Sequence, residues 1–108
     1  MARIEKTAIF AEWLRALKDA RAVARIAVRI DRLAAGNPGD VRPVGDGVSE
    51  LRIDYGPGYR VYFLRRGAIL IILLCGGDKS TQRGDIARAH RLAKEMKDGD
   101  DDTEHHPL

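Results

Sequence analysis

Arginine and tyrosine recur at alternate positions in Glu50-Leu-Arg-Ile-Asp-Tyr-Gly-Pro-Gly-Tyr-Arg-Val-Tyr-Phe63, and there the chain gathers groups able to handle a phosphate. The alternation predicts two strands joined by a Gly-Pro-Gly turn. It sends Leu51, Ile53, Val61 and Phe63 to one face and Glu50, Arg52, Asp54, Arg60 and Tyr62 to the other. With the turn centred on Pro57, Arg52 stands opposite Tyr62 and Asp54 opposite Arg60. The polar face then reads as an exposed patch, with guanidinium groups to grip a phosphate backbone and an aromatic ring to stack on a base. The same residues also fit a plainer reading, as cross-strand ion pairs (Asp54 with Arg60, Glu50 with Arg52) on a solvated face.

A second polar cluster, Gly76-Gly-Asp-Lys-Ser-Thr-Gln82, follows the most apolar run of the chain. Its glycines suit a strand-to-helix turn. Asp78 and Ser80 suit capping, and Lys79 a solvated charge. His90, His105 and His106 have no acidic or cysteine partners at ligand spacing, so no metal site is expected. No glycine-rich loop of nucleotide-binding type is present, and no cofactor is expected.

These residues sit in a chain of 108, the size of one domain with one core. The longest apolar run, Ala68–Cys75, is far short of the roughly 18–20 residues of a membrane span. The N-terminus carries no apolar leader, and the single cysteine, Cys75, excludes an intramolecular disulfide; the chain reads as cytoplasmic, with a reduced, buried thiol. Charge is unevenly placed. The formal net is +3, but Asp98, Asp100, Asp101, Asp102 and Glu104 all follow Lys97, with no lysine or arginine among them. Residues 1–97 therefore carry 19 basic against 11 acidic side chains, a net of +8. Such a body suits an anionic partner. Residues 98–108 read as a disordered acidic tail, leaving 1–97 as the domain.

The elements that must position the polar residues follow from periodicity. Arg3–Lys6 is a short strand and Thr7 a candidate N-cap. Ile9, Phe10, Trp13, Leu14 and Leu17 form one helical stripe, and Val23, Ile26, Ala27, Ile30, Leu33 and Ala34 a second that stops at Gly36. The second helix also aligns Arg21, Arg25, Arg29 and Arg32 on one basic face, read first as solvated, with a nucleic-acid role secondary. Residues 40–47 are expected to be a loop. Val48–Tyr55, Tyr59–Arg65 and Ala68–Cys75 make an antiparallel meander. The last strand is apolar at both parities, so one side lies under the helical hairpin and the other needs a second cover, either the C-terminal helix or a partner chain. A final helix begins after Ser80, with Ile86, Ala89, Ala93 and Met96 as its stripe. The fold class is α+β, a helical hairpin on a mainly antiparallel four-stranded sheet in the order β-α-α-β-β-β-α. Trp13, Ile26, Ile30, Val61, Phe63, Ile72 and Leu74 are expected to be buried.

That order, together with Phe10, Trp13-Leu14, Arg32-Leu-Ala-Ala-Gly-Asn-Pro-Gly-Asp40, Val48-Ser-Glu-Leu-Arg-Ile53, Gly58-Tyr-Arg-Val-Tyr62 and Leu73-Leu-Cys-Gly-Gly-Asp-Lys-Ser-Thr-Gln82, resembles the RelE/ParE superfamily of bacterial toxins, over about residues 3–97. Within it the chain looks most like the HigB-like, phage-derived branch of addiction-module killer proteins. The resemblance implies the toxin of a type II toxin–antitoxin module, held by a helix-turn-helix antitoxin from the same operon and joined to operator DNA only through that complex. Many such toxins are ribosome-dependent, metal-independent endoribonucleases acting on mRNA; ParE-type members inhibit DNA gyrase instead, and a non-toxic nucleic-acid-binding module is a third class. For the nuclease, the resemblance implies Arg60 as the phosphate clamp and Lys79 and Arg52 as added positive charge. Asp78, Glu50 or Tyr62 would move protons, and Gln82 would orient substrate. The chain departs from RelE in having apolar residues where RelE carries a lysine pair. The His or Tyr that serves HigB and YoeB types as acid has no clear counterpart beyond His90 and His105-His106.

Overall fold

The computed structural model describes residues 1–98. Its elements are β1 (Arg3–Lys6), α1 (Ala8–Ala16), α2 (Ala20–Ala34), β2 (Val41–Gly45), β3 (Val48–Ile53), β4 (Tyr59–Arg66), β5 (Leu70–Asp78), a 3-10 turn (Lys79–Thr81) and α3 (Gln82–Asp98). Side-chain capping starts both hairpin helices. Thr7 accepts from the Phe10 amide at 3.0 Å, and Asp19 accepts from the Arg21 and Ala22 amides. α2 ends where Gly36 takes φ +92°, so that the Asn37 amide reaches the Arg32 carbonyl and the Gly36 amide the Leu33 carbonyl, a Schellman arrangement.

The sheet has five strands, not four, in the order β1-β5-β4-β3-β2, with β1 parallel to β5 and the other neighbours antiparallel. The additional strand, β2, lies in the stretch expected to be a loop. Its Pro43 donates no ladder bond, which an edge strand tolerates, and its register shifts between Pro43 and Gly45. Asp46 (φ +55°) and Gly47 (φ +79°) form the two-residue connection to β3, a hairpin chemistry that the Asp-Gly pair favours.

The hairpin helices cover one face of the sheet. Phe10, Ile26, Ile30 and Leu33 meet Leu51, Ile53, Val61, Phe63, Ile71 and Leu73 there. α3 covers the other face, packing Ala89 and Ala93 on Val48, Tyr62, Ile72, Leu74 and Cys75. The second cover that β5 requires is thus supplied within the chain. Trp13, expected to be buried, is only partly so, standing beside Phe10 and edge-on to Tyr59. α3 runs to Asp98, the first residue of the expected acidic tail, and residues 99–108 lie outside the described residues.

The turn between β3 and β4 also differs from expectation. Glu50 pairs with Tyr62 and Arg52 with Arg60, two residues out of the expected register, while Asp54 leaves the ladder. The loop tightens through a Gly58 amide bond to the Tyr55 carbonyl, with Gly56 and Gly58 at positive φ. Because the slip is an even number of residues, each side chain keeps its predicted face.

Candidate functional site

The β3–β4 register brings Glu50, Arg52, Arg60 and Tyr62 together on the face that α3 covers. This face was expected to be exposed, and it is not: Glu50 and Tyr62 are 0% exposed and Arg60 is 6% exposed. Glu50 Oε2 accepts hydrogen bonds from the Tyr62 hydroxyl at 2.9 Å and from Gln82 Nε2 at 2.8 Å. Arg60 Nε lies 3.7 Å from the same oxygen, and Arg52 Nε 3.9 Å from Glu50 Oε1. These last two are ion pairs too long for hydrogen bonds, and Glu50 Oε1 and both Nε atoms are buried without hydrogen-bond partners. A sealed carboxylate requires opposite charge nearby, and the two arginines supply it.

Above this network opens a cleft of about 420 Å³, lined by Asp40, Arg52, Asp54, Gly56, Pro57, Gly58, Arg60 and Lys79. Arg60 Nη1 donates to the Gly58 carbonyl at 3.2 Å, and Gly58, at φ +80°, lies beside Arg60 Nη1 and the Lys79 side chain. Arg29, from α2, ties the cleft from behind. It donates to the carbonyls of Arg52 (2.6 Å), Pro38 (3.0 Å) and Asp40 (3.4 Å), fixing the loop that carries Asp40.

A bulge brings α3 over Glu50. Between Tyr62/Cys75 and Phe63/Leu73 the β5 strand gains one residue, Leu74, which switches the faces beyond it. Gly76 therefore lies under the Trp13 ring, and Gly77 against the Asp85 carboxylate and Thr81; a Cβ at either position would collide with these groups. The expectation that the two glycines serve a turn is thus replaced by close approach within a strand. Thr81 Oγ1 donates to Asp85 at 2.5 Å, and Asp78 caps the 3-10 turn by accepting from the Ser80 amide at 2.8 Å.

The structure gathers Arg52, Arg60 and Lys79 at the cleft and Glu50, Tyr62 and Gln82 beneath it, while Asp78 is engaged as a cap. Two expected roles do not fit this arrangement. Tyr62 offers no face for a base to stack on, and burial, reinforced by its bond to Glu50, holds its hydroxyl protonated far above the ordinary tyrosine range. Glu50 has no surface through which to meet substrate and instead anchors the arginines. Gln82, half-buried, donates from its Nε2 to Glu50. Sequence reasoning missed Asp40, on the cleft wall, and the bracing role of Arg29, for which the only signal was its place in the α2 arginine row.

His90 stands apart, its Nε2 2.8 Å from the Val44 carbonyl and its Nδ1 3.6 Å from Asp46. The Cys75 thiol is buried and pushed up to about 11, chiefly by desolvation, which makes it a poor nucleophile. Among the described residues no group of three or more His, Cys, Asp or Glu could hold a metal ion, and no helix is long and apolar enough to cross a membrane.

Residues 12–97 match the family model described as phage-derived protein Gp49-like (DUF891). The chain is also 54% identical over 94 residues to an uncharacterized protein of Haemophilus influenzae, covering 87% of this chain and 95% of that one. The chain belongs to the phage-derived Gp49-like family, a toxin-like family related to RelE/ParE.

Proposed function

We propose that this protein is the toxin of a type II toxin–antitoxin module and a metal-independent endoribonuclease acting on ribosome-bound mRNA in the cytoplasm. A helix-turn-helix antitoxin would neutralise it and carry it to operator DNA. The observation that supports this reading most is the cleft in which Arg52, Arg60 and Lys79 converge, two of them set by a fully buried carboxylate. Positive charge held rigidly in a partly desolvated site is what the crowded dianionic phosphorane of RNA cleavage demands.

In the reaction, the 2′-oxygen attacks the adjacent phosphorus, the bond to the 5′-oxygen breaks, and a 2′,3′-cyclic phosphate and a 5′-hydroxyl result. Arg60 is the clamp on the non-bridging oxygens, since Glu50 and the Gly58 carbonyl fix its guanidinium. Arg52 adds charge from the opposing strand position. Lys79 can hydrogen-bond and protonate the departing 5′-oxygen. Asp40 and Asp54, the carboxylates on the cleft wall, are the groups available to take the 2′-hydroxyl proton. Glu50, Tyr62 and Gln82 act through the arginines as positioning residues.

Primer extension on cellular mRNA after induction tests this. Discrete cuts in translated message that vanish in Arg60→Ala are the expected result. Intact message with gyrase-dependent DNA breaks would replace the nuclease with a ParE-type inhibitor, and no growth defect at all would leave neither toxin reading standing.

A further inference from the structure

A second concavity, of about 600 Å³, runs along α2 and is lined by Arg21, Arg25, Arg29 and Arg32 with Val28 and Asp54. Asp54 also lines the cleft, so the two depressions meet at this residue. The arginines are not equivalent. Arg29 is committed to three backbone carbonyls. Arg25 stacks with its guanidinium carbon 4.7 Å from the centroid of Tyr55, whose hydroxyl in turn donates to Asp19 at 3.0 Å. Arg25 is thereby oriented while it remains exposed, as are Arg21 and Arg32. Val28, 47% exposed, supplies an apolar floor between them.

We infer that this groove is a rail for single-stranded RNA, gripping phosphates that flank the nucleotide held in the cleft. The inference rests on the cleft's being the site of RNA cleavage, as proposed above. From Arg21 to Arg32 the helix rises roughly 16 Å at 1.5 Å per residue, enough for several consecutive phosphates rather than one. The groove presents four arginines along its length against two carboxylates at its ends, Asp19 beside Arg21 and Asp54 where it joins the cleft, a pattern that suits a polyanion threading into the site. An oriented guanidinium row beside a half-exposed valine can hold phosphate and ribose without reading bases, so the rail would add affinity without sequence preference.

The test uses fluorescein-labelled oligouridines, 2′-O-methylated to prevent cleavage, four and twelve nucleotides long, titrated against the purified protein across salt concentrations. The short probe reaches only the cleft; the long one reaches the groove as well. The wild-type protein should bind the long probe more tightly and with a steeper salt dependence, by about 0.7 in log–log slope for each additional phosphate contacted. Arg25→Gln with Arg32→Gln should remove about 1.4 of that extra slope and leave binding of the short probe unchanged. Arg29 is left intact because it braces the cleft. If the paired variant is not folded, the slopes of the wild-type protein for the two lengths decide alone. Equal slopes and affinities for the two lengths would overturn the rail while leaving the cleft reading intact. No binding of either probe would overturn the rail, while discrete cuts in message on the ribosome would keep the cleft reading. Length-independent RNA binding together with loss of the antitoxin complex in the paired variant would assign the groove to an acidic protein segment instead, against this inference.

Discussion

Glu50 and Leu51 are neighbours on β3, both 0% exposed, and they point to opposite faces of the sheet. Leu51 packs with Ile26, Val61 and Phe63 in the apolar cluster under the helical hairpin. Glu50 lies under α3 among Tyr62, Gln82, Arg60 and Arg52. One face stabilises the fold by burying hydrocarbon. The other spends stability, because a sealed carboxylate and two guanidinium Nε atoms without hydrogen bonds are retained where apolar residues would pack at lower cost. Under the proposed function, that expense serves to hold the arginines still at the cleft.

The largest expected effect comes from removing the charge on the polar face. Glu50→Ala should cost about 3–5 kcal/mol in chemical denaturation, since it strands the nearly buried Arg60 guanidinium. Leu51→Ala should cost about 2–5 kcal/mol through transfer and cavity terms. The two variants should part in activity. The folded fraction of Leu51→Ala should retain cleavage, whereas Glu50→Ala should lose it. Equal loss in both would erase the distinction between the faces.

Next in size is Tyr62→Phe. It removes a donor to a charged acceptor and should lower stability by about 1.5–3 kcal/mol, measured as a shift in denaturation midpoint. The ring stays in place, so RNA binding at low salt should change little.

A pH effect sharpens the comparison further. The Cys75 thiol, on the α3 face, is raised from 9.0 to about 11. Between these values the unfolded chain releases the proton and the folded chain keeps it, so stability is full below about pH 9 and falls as pH rises toward 11, by at most about 2.7 kcal/mol. Cys75→Ala should flatten that window in unfolding experiments at several pH values. An unchanged slope would show that this face is wetter than its geometry implies.

Much of this was legible from residue order. Thr7 starts its helix, Gly36 ends one, and the alternation of β3 and β4 sorted Leu51, Ile53, Val61 and Phe63 correctly to one face. β2 was missed because Val41-Arg-Pro-Val-Gly45 has only two apolar residues and a proline, although Asp46-Gly47 carried the hairpin signal. The polar face was read as solvated because alternating charged residues on an antiparallel strand usually meet water. Its burial depends on long-range events that local pattern does not encode. Leu74 bulges out of register, Gly77 lets Asp85 approach, and α3 settles over Glu50. The cleft residues Arg52, Arg60 and Lys79 were identifiable by type, but Asp40 and Arg29 enter only through the tertiary arrangement.

If the buried carboxylate aims Arg60 at a phosphate, loss of the Arg60 side chain must slow cleavage. The direct measurement is the single-turnover rate at which purified protein cleaves message on programmed ribosomes, compared between the parent and Arg60→Ala, with folding of both verified by circular dichroism. The expected result is a fall of about 10²–10³-fold, equivalent to about 2.7–4 kcal/mol of transition-state stabilisation. A folded Arg60→Ala protein that cleaves at the parental rate would contradict the account.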